Sequence, residues 1–414
     1  MRRLAVSTVS ILAVLTVLLV RDLPDRATAD TGCAFERTRT REVYLDQASN
    51  ALTRAALGLP KYRFETLRPA QLERSPNGDV TEVAKFPPTL VRALSYVEST
   101  WAMANWDTPR GKVGPVLTSS SCAYGIMQVL SGMQLQSGSS GPTTLQRAIL
   151  RSQVTNIQAG LQLLADKWNF SGPNAWPWVG DRDPSILEHW YYATWAYYGM
   201  LPVMSPANPD YPWPRPAYNS SECREQPAGC QFTHYPYQEL VLGLVANPPV
   251  VGAVGDKPVT LWAPRPVELP DRNYFLTLAT PKAPAWPPPV IERSPGATRD
   301  TAPGLAPRIA LDPPTLTLEY SSDDQSVVGL PVTTVLNAGG AVLSPVVSVT
   351  SAGPTKDWLS TWNLSSQVAP TDILVSFEPS SMAPGSYTAA FTVSSVVARG
   401  GPQSFTLTVC IDHC

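Results

Sequence analysis

The clearest periodicity in the chain lies in "LVRALSYVESTW", residues 90–101, where Leu90, Leu94, Val97 and Trp101 recur at the spacing of one helix face. Glu98 follows Leu94 by four positions and falls at the edge of that face, so the pattern predicts a partly buried acid on a helix that opens after Pro87-Pro88. Helical periodicity continues through "LQRAILRSQVTNIQAGLQLLADKW" and "SILEHWYYATWAYYG", broken by loops rich in Gly, Pro and Ser, and predicts an α-helical domain over 86–247. Residues 30–85, with the amphipathic stretch "YLDQASNALTRAAL", read as a segment that braces this domain. Beyond Arg308 the period changes to two in "TLTLEY", "VTTVLNAGG", "PVVSVTS", "DILVSFE", "GSYTAAFTVSSV" and "SFTLTVCI", which predicts an all-β sandwich over 308–414. Between the two, residues 248–307 read as a proline-rich segment and linker, within which "KPVTLWAPRPVEL" is able to form strands lying on the helical domain. The expected fold class is therefore multidomain α+β.

Composition adjusts this picture in two ways. Forty-three prolines in 414 residues are about twice the usual share, which argues against one compact α/β enzyme. A net charge of -2, with its basic residues dispersed, gives no electrostatic footprint for nucleic acid, and none is expected as a partner. A polymer held by such a surface must be gripped by aromatic and hydrogen-bonding contacts, for which 12 Trp and 15 Tyr provide material.

The N-terminus carries two arginines, an uncharged run from Leu4 to Val20, and Ala27-Thr28-Ala29 as a cleavage site. Residues 1–29 read as an export signal; left uncleaved, the run at 4–20 is just long enough to anchor the chain in a membrane. Cleavage takes the net charge from -2 to -4. The expected location is secreted or extracytoplasmic and associated with the cell envelope, and the expected state is monomeric. Six cysteines in an exported chain favour disulfides. Proximity suggests Cys223 with Cys230 and Cys410 with Cys414, leaving Cys33 for Cys122, one of about fifteen formal pairings. Cys410, His413 and Cys414 as metal ligands are the rival reading, which lacks a visible fourth ligand; no metal or cofactor is expected.

A carboxyl delivers a proton near neutral pH when its surroundings disfavour the charged form, and apolar burial does so. The position of Glu98 suits that task; its bland alternative is a core-edge acid paired with Arg92. Glycosidases commonly need a second carboxylate. Asp107, Asp181, Asp183 and Glu188 are available, but the first follows a helix end and the aspartate pair sits in a predicted turn, so each reads as structural. His189 has no nucleophile pattern around it. A Gly-x-Ser-x-Gly elbow, a phosphate loop and an HExxH helix are all absent.

Glu98-Ser99-Thr100-Trp101, then "SSSCAYGIMQV", "NIQAGLQLL" and "WYYATWAYYG", occur in the order and character of the four motifs of soluble lytic transglycosylase-like domains, relatives of goose-type lysozyme. The resemblance covers about residues 86–200. It implies a lysozyme-like catalytic domain that cleaves the β-1,4 bond between N-acetylmuramic acid and N-acetylglucosamine in peptidoglycan glycan strands. In such a site a single glutamate, Glu98, acts as acid and then as base, with the substrate's N-acetyl group assisting, to give 1,6-anhydro ends; a water in place of the muramoyl 6-hydroxyl would give hydrolysis, as in a muramidase. By the same resemblance Met127 and Gln128 line the saccharide cleft, with plain core packing as the alternative for Met127; Ser119 is a substrate-binding serine near the catalytic glutamate, and Tyr197 hydrogen-bonds the Glu98 carboxyl. Gly125 reads as allowing close approach of a sugar or as a tight turn, and Asn156 as fixing helix geometry. The chain departs from the pattern at Cys122, where a glycine is usual, at Tyr198, where asparagine is common, and in the longer gap from Glu98 to Ser119. That insertion, "ANWDTPRGKVGPVLTSS", reads as a hairpin or lid that Cys33 and Cys122 could tether. The C-terminal sandwich resembles Ig-like modules, some similar to BACON domains, and is read as a spacer or adhesion unit. The rival from another class is a noncatalytic envelope protein whose lysozyme-like cleft merely holds glycan.

Overall fold

The computed structural model describes residues 32–58, 71–73, 80–83, 85–135, 138, 141–170, 177–228, 230–254, 257–276, 284–300, 306–339, 341–353 and 356–412. The export signal expected at 1–29 and the anchor run at 4–20 lie outside them. Among the described residues no helix is long and apolar enough to cross a membrane.

Strand β1 (Arg39–Arg41) leads into helix α1 (Leu45–Ala56), and two short paired strands, β2 (Gln71–Glu73) and β3 (Val80–Val83), precede helix α2 (Pro88–Ser99). Proline suits the first turn of α2 because its missing N–H would have no partner there anyway. The cap comes from far away: Oδ2 of Asp300 accepts the Thr89 N–H at 2.6 Å, which satisfies a first-turn donor and places negative charge at the positive end of the helix. At the other end Thr100 (φ 49°) and Trp101 (φ 64°) both turn left-handed, which swings the Trp101 ring beneath α2 until its Nε1 donates to the Arg92 carbonyl at 2.9 Å.

The insertion after α2 is a hairpin whose outer strand β4 (Val113–Pro115) pairs antiparallel with β1. Glu42 fixes its base, accepting from the Met103 and Ala104 N–H groups at 2.9 and 2.7 Å and pairing with Arg110. The Cys33–Cys122 disulfide ties the far end to the N-terminal segment, so residues 32–58 are fixed to this insertion as well as packed on the helices. Helices α3 (Thr144–Arg151), α4 (Gln153–Phe170), α5 (Tyr191–Tyr197), the short α6 (Ser221–Glu225) and α7 (Tyr237–Ala246) complete the helical part. Its core is aromatic: Trp168 lies 4.2 Å from Trp190 between ring centroids, and Trp101, Trp168, Trp190 and Trp195 are all fully buried.

The described residues between 248 and 300 are not a linker. After the hairpin β5 (Val250–Val254) and β6 (Lys257–Thr260), the chain runs back over the helical domain as a strap. Trp262 packs 5.5 Å from Trp101 and 5.9 Å from Tyr96, and Phe275 is buried against Tyr191, Tyr192 and Trp195. Ile291 bridges to Val179, while the buried Glu188 carboxylate accepts the Glu268 and Thr298 N–H groups at 3.2 and 2.9 Å. Proline density gave the linker reading, and the reason it fails is physical. An extended, proline-rich backbone has few donors to satisfy, so it can lie on an apolar surface without a sheet of its own and bury Leu261, Trp262, Phe275 and Ile291.

The C-terminal part is a sandwich of two four-stranded sheets, ordered β10-β13-β14-β8 and β11-β12-β9-β7. In chain order the strands are β7 (Ile309–Asp312), β8 (Thr315–Tyr320), β9 (Val327–Asn337), β10 (Val346–Ala352), β11 (Leu359–Leu364), β12 (Thr371–Phe377), β13 (Gly385–Ser394) and β14 (Gln403–Ile411). Trp358, Phe377, Tyr387, Phe391 and Phe405 fill the space between the sheets. The sandwich also touches the helical part: the Ser395 hydroxyl donates to Oδ2 of the buried Asp46 at 2.6 Å, and Val342 and Val368 join the helical core.

Candidate active site

Three helices of the chain converge on one turn. Tyr124 to Gln128 bends at Gly125 (φ 72°), and a Cβ there would lie 2.5 Å from the Asn156 amide nitrogen. Glycine is thus required by Asn156, not by a sugar. Asn156 and Gly160, one turn apart on α4, form a clasp. Oδ1 of Asn156 accepts the Met127 N–H at 2.9 Å, its Nδ2 donates to the Tyr124 carbonyl at 2.9 Å, and the Met127 side chain lies where a Cβ of Gly160 would be. Ser99, the last residue of α2, donates to the Ile126 carbonyl at 2.7 Å, and the Tyr197 hydroxyl donates to the Met127 carbonyl at 2.7 Å. The helix that carries Glu98 is thereby fixed to the turn that carries Gln128.

Glu98 is half-buried and faces α7, where the hydroxyl of Tyr237 donates to its Oε1. Burial pushes the Glu98 carboxyl up to about 7, against the opposing pull of the Tyr237 bond, which favours the charged form. No cation and no second carboxylate contributes among the described residues. Arg92 is directed away and donates to Thr53 Oγ1 from both Nε and Nη2, at 3.0 and 2.5 Å, so the reading of Glu98 as an acid paired with Arg92 is excluded. Tyr237 is itself held far above the ordinary phenol range by burial first and by the nearby Glu98 charge second, so it stays a proton-bearing donor. Tyr197 stays protonated for the same reasons.

The expected site residues divide. Glu98, Gln128 and Tyr197 belong to this assembly, but the hydrogen bond to Glu98 comes from Tyr237 rather than Tyr197, whose hydroxyl is committed to the Met127 carbonyl. Met127 is fully buried against Gly160 and presents no surface to a ligand; it packs the turn. Gln128 is partly exposed with a left-handed backbone (φ 45°). Its Nε2 donates to the Gly125 carbonyl at 2.8 Å, and its amide oxygen accepts from no described residue, leaving an oriented acceptor. Ser119 belongs to the disulfide-closed turn, with its hydroxyl 3.0 Å from Ser121 Oγ and accepting the Ala123 N–H at 3.1 Å, and makes no hydrogen bond to Glu98. Asp107 is exposed, Asp181 is exposed beside His189, Asp183 pairs with Arg299, and Glu188 holds the strap, so none of the four serves as a partner acid. His189 is buried, with Nδ1 3.1 Å from the Asp183 carbonyl.

Tyr237 lies outside the stretch that carries the resemblance, and the sequence reading missed it. Its signal was local: α7 is apolar except at Tyr237, Gln238 and Glu239 in its first turn. All three are buried and all three are paired, to Glu98, to the Met204 carbonyl and to Arg215 respectively. Buried polar groups clustered at one end of an otherwise apolar helix mark a place where that end meets a polar site.

Cys33–Cys122 and Cys223–Cys230 are disulfides, and Cys410 is also disulfide-bonded, which removes it as a metal ligand; its expected partner Cys414, like His413, lies outside the described residues. Such bonds persist in oxidising, extracytoplasmic compartments. No protein-family model matches the chain, and no curated protein matches it at a significant level.

Proposed function

We propose that the protein is an extracytoplasmic lytic transglycosylase that cleaves the β-1,4 bond between N-acetylmuramic acid and N-acetylglucosamine in peptidoglycan. The observation that carries the reading is Glu98: one carboxyl, burial-shifted to about 7, held by a tyrosine hydroxyl and free of any cation that would lower it. Such a group is populated in its acid form near neutral pH and can protonate the departing glycosidic oxygen. With no second carboxylate alongside among the described residues, the positive charge at C1 is met by the substrate's own acetamido oxygen. The carboxylate left on Glu98 then takes the proton from the muramoyl 6-hydroxyl, whose oxygen closes on C1 to give the 1,6-anhydro ring and returns the acid. The free amide oxygen of Gln128, on the turn fixed to α2, is placed to accept from a sugar hydroxyl or N-acetyl N–H.

The test is product analysis. Purified wild type and Glu98→Gln are incubated with peptidoglycan, and the soluble fragments are weighed by mass spectrometry. Anhydro ends from the wild type and none from the variant are expected. Reducing ends would reassign the reaction to hydrolysis, and no release from either protein would leave a noncatalytic glycan binder.

A further inference from the structure

Outward from Glu98 the surface continues as aromatic rings in place of the usual charged residues. Tyr198 stacks on Tyr237, the residue that holds Glu98, with ring centroids 4.9 Å apart and planes 24° apart, yet remains 45% exposed. The Tyr198 hydroxyl is within electrostatic range of Tyr211. Tyr211 in turn lies under the Arg215 guanidinium, 5.7 Å from its centroid, and the same guanidinium is 5.4 Å from the ring of Trp213. Trp213 is 54% exposed and is also flanked by Arg272 at 5.4 Å. Arg215 is ion-paired with the buried Glu239 at 2.6 Å, and Arg272 also acts on that carboxylate. Both guanidiniums lie within cation–π range of the Trp213 ring and steady it, while about half of its surface stays open.

Tyr237 and Glu239 stand two residues apart in the first turn of α7, on different sides of the helix. Tyr198 and Trp213 are thus set across one helix end, on the order of 10 Å. An exposed aromatic ring held in place by a polar network is costly unless something covers it, and a pyranose does so with its face of C–H groups while its hydroxyls bond at the rim. Arg215 is ion-paired with Glu239 and Arg272 donates to the Pro206 and Ala207 carbonyls, so both guanidiniums are engaged by the protein and what the face offers a ligand is aromatic surface.

We infer that Tyr198 and Trp213 are two sugar-binding platforms of an extended face beside Glu98, so that the enzyme grips a glycan strand of several β-1,4-linked N-acetylhexosamines and not one disaccharide. This rests on the function proposed above for the same site, and it adds residues, one of them beyond the stretch that carries the sequence resemblance.

The experiment measures binding, so it stands or falls separately from cleavage. In a Glu98→Gln background, affinity for β-1,4-linked N-acetylglucosamine oligomers of two to six units is read by calorimetry. Affinity should rise with chain length. Tyr198→Ala and Trp213→Ala should each weaken the hexamer about tenfold, Tyr198→Phe and Trp213→Phe should restore it, and Trp213→Ala should leave the dimer unchanged. Near-UV circular dichroism confirms that each variant is folded, as both rings are largely outside the core. Length-independent affinity, no binding of the hexamer, or alanine variants that bind like the parent would overturn the inference, whether or not the wild type cleaves peptidoglycan.

Discussion

Tyr237 reaches Glu98 across 139 positions of sequence, and its hydroxyl is the only side-chain donor that meets the carboxyl among the described residues. The bond favours the ionised form, while burial favours the neutral one and prevails. The balance of the two sets the pH at which Glu98 changes charge.

Cleavage should therefore fall as pH rises through about 7, where Glu98 loses the proton it must donate. Tyr237→Phe removes the hydrogen bond that favours the carboxylate and should move this alkaline limb upward by about one pH unit, the size of one charge-assisted bond. A pH–rate profile of kcat for both proteins checks this. A limb that stays put in the variant would mean that Tyr237 does not govern the proton.

The same shift has a consequence for stability. An acid whose folded-state pKa lies above its unfolded value is more protonated folded than unfolded. Stability is therefore lost as pH climbs from the ordinary 4.5 to about 7, and stays lost above. Glu98→Gln should stabilise the protein at pH 8 by up to roughly 3 kcal/mol and have little effect below pH 4.5. Urea unfolding of both proteins at the two pH values measures it.

Gly125 and Asn156 should couple strongly. Gly125→Ala meets both a left-handed backbone and the Asn156 amide at 2.5 Å, and should cost on the order of 3 kcal/mol. Asn156→Ala alone leaves the Met127 N–H and the Tyr124 carbonyl without their partner and should cost about 2 kcal/mol or more. The double variant should cost less than the sum, because removing the amide opens the space the new methyl needs. A double-mutant cycle by thermal unfolding would show the shortfall, and simple additivity would contradict the clasp.

Trp262→Ala tests the strap. A linker residue would cost nothing; a tryptophan packed on Trp101 and Tyr96 should cost about 3–5 kcal/mol. It should also lower activity, since Trp101 sits directly under the end of the helix bearing Glu98. Chemical denaturation with parallel assay decides between the two.

Much of this architecture was legible in the residues. The apolar stripe around Glu98 placed α2, and period two placed β8, β9, β10, β12, β13 and β14. Strands β7 and β11 were missed: β7 is four residues long, and the exposed β11 has no alternation to read, with only Leu359 of its six residues buried. The motifs "GIMQ" and "NIQAG" were seen as a set, but their meaning was not. Spacing along a chain does not reveal that Asn156 and Gly160 exist to receive Gly125 and Met127, because the contact is between segments. Tyr237 and the later part of the strap, around Phe275 and Ile291, were illegible for the same reason, each depending on a surface built elsewhere in the chain; only "KPVTLWAPRPVEL" was read as lying on the helical domain.

The cap that Asp300 places on α2 has a bearing on how the molecule is made. Synthesis proceeds from the N-terminus, and domains fold as units as they emerge. The helix presenting the acid cannot be closed at its first turn until a residue 211 positions later than Thr89 has left the ribosome. A chain interrupted anywhere in the strap would carry Glu98, Gln128 and Tyr237 and still lack the residue that caps the helix of Glu98, so the assembly around that carboxyl is completed only after nearly three quarters of the polypeptide has been translated.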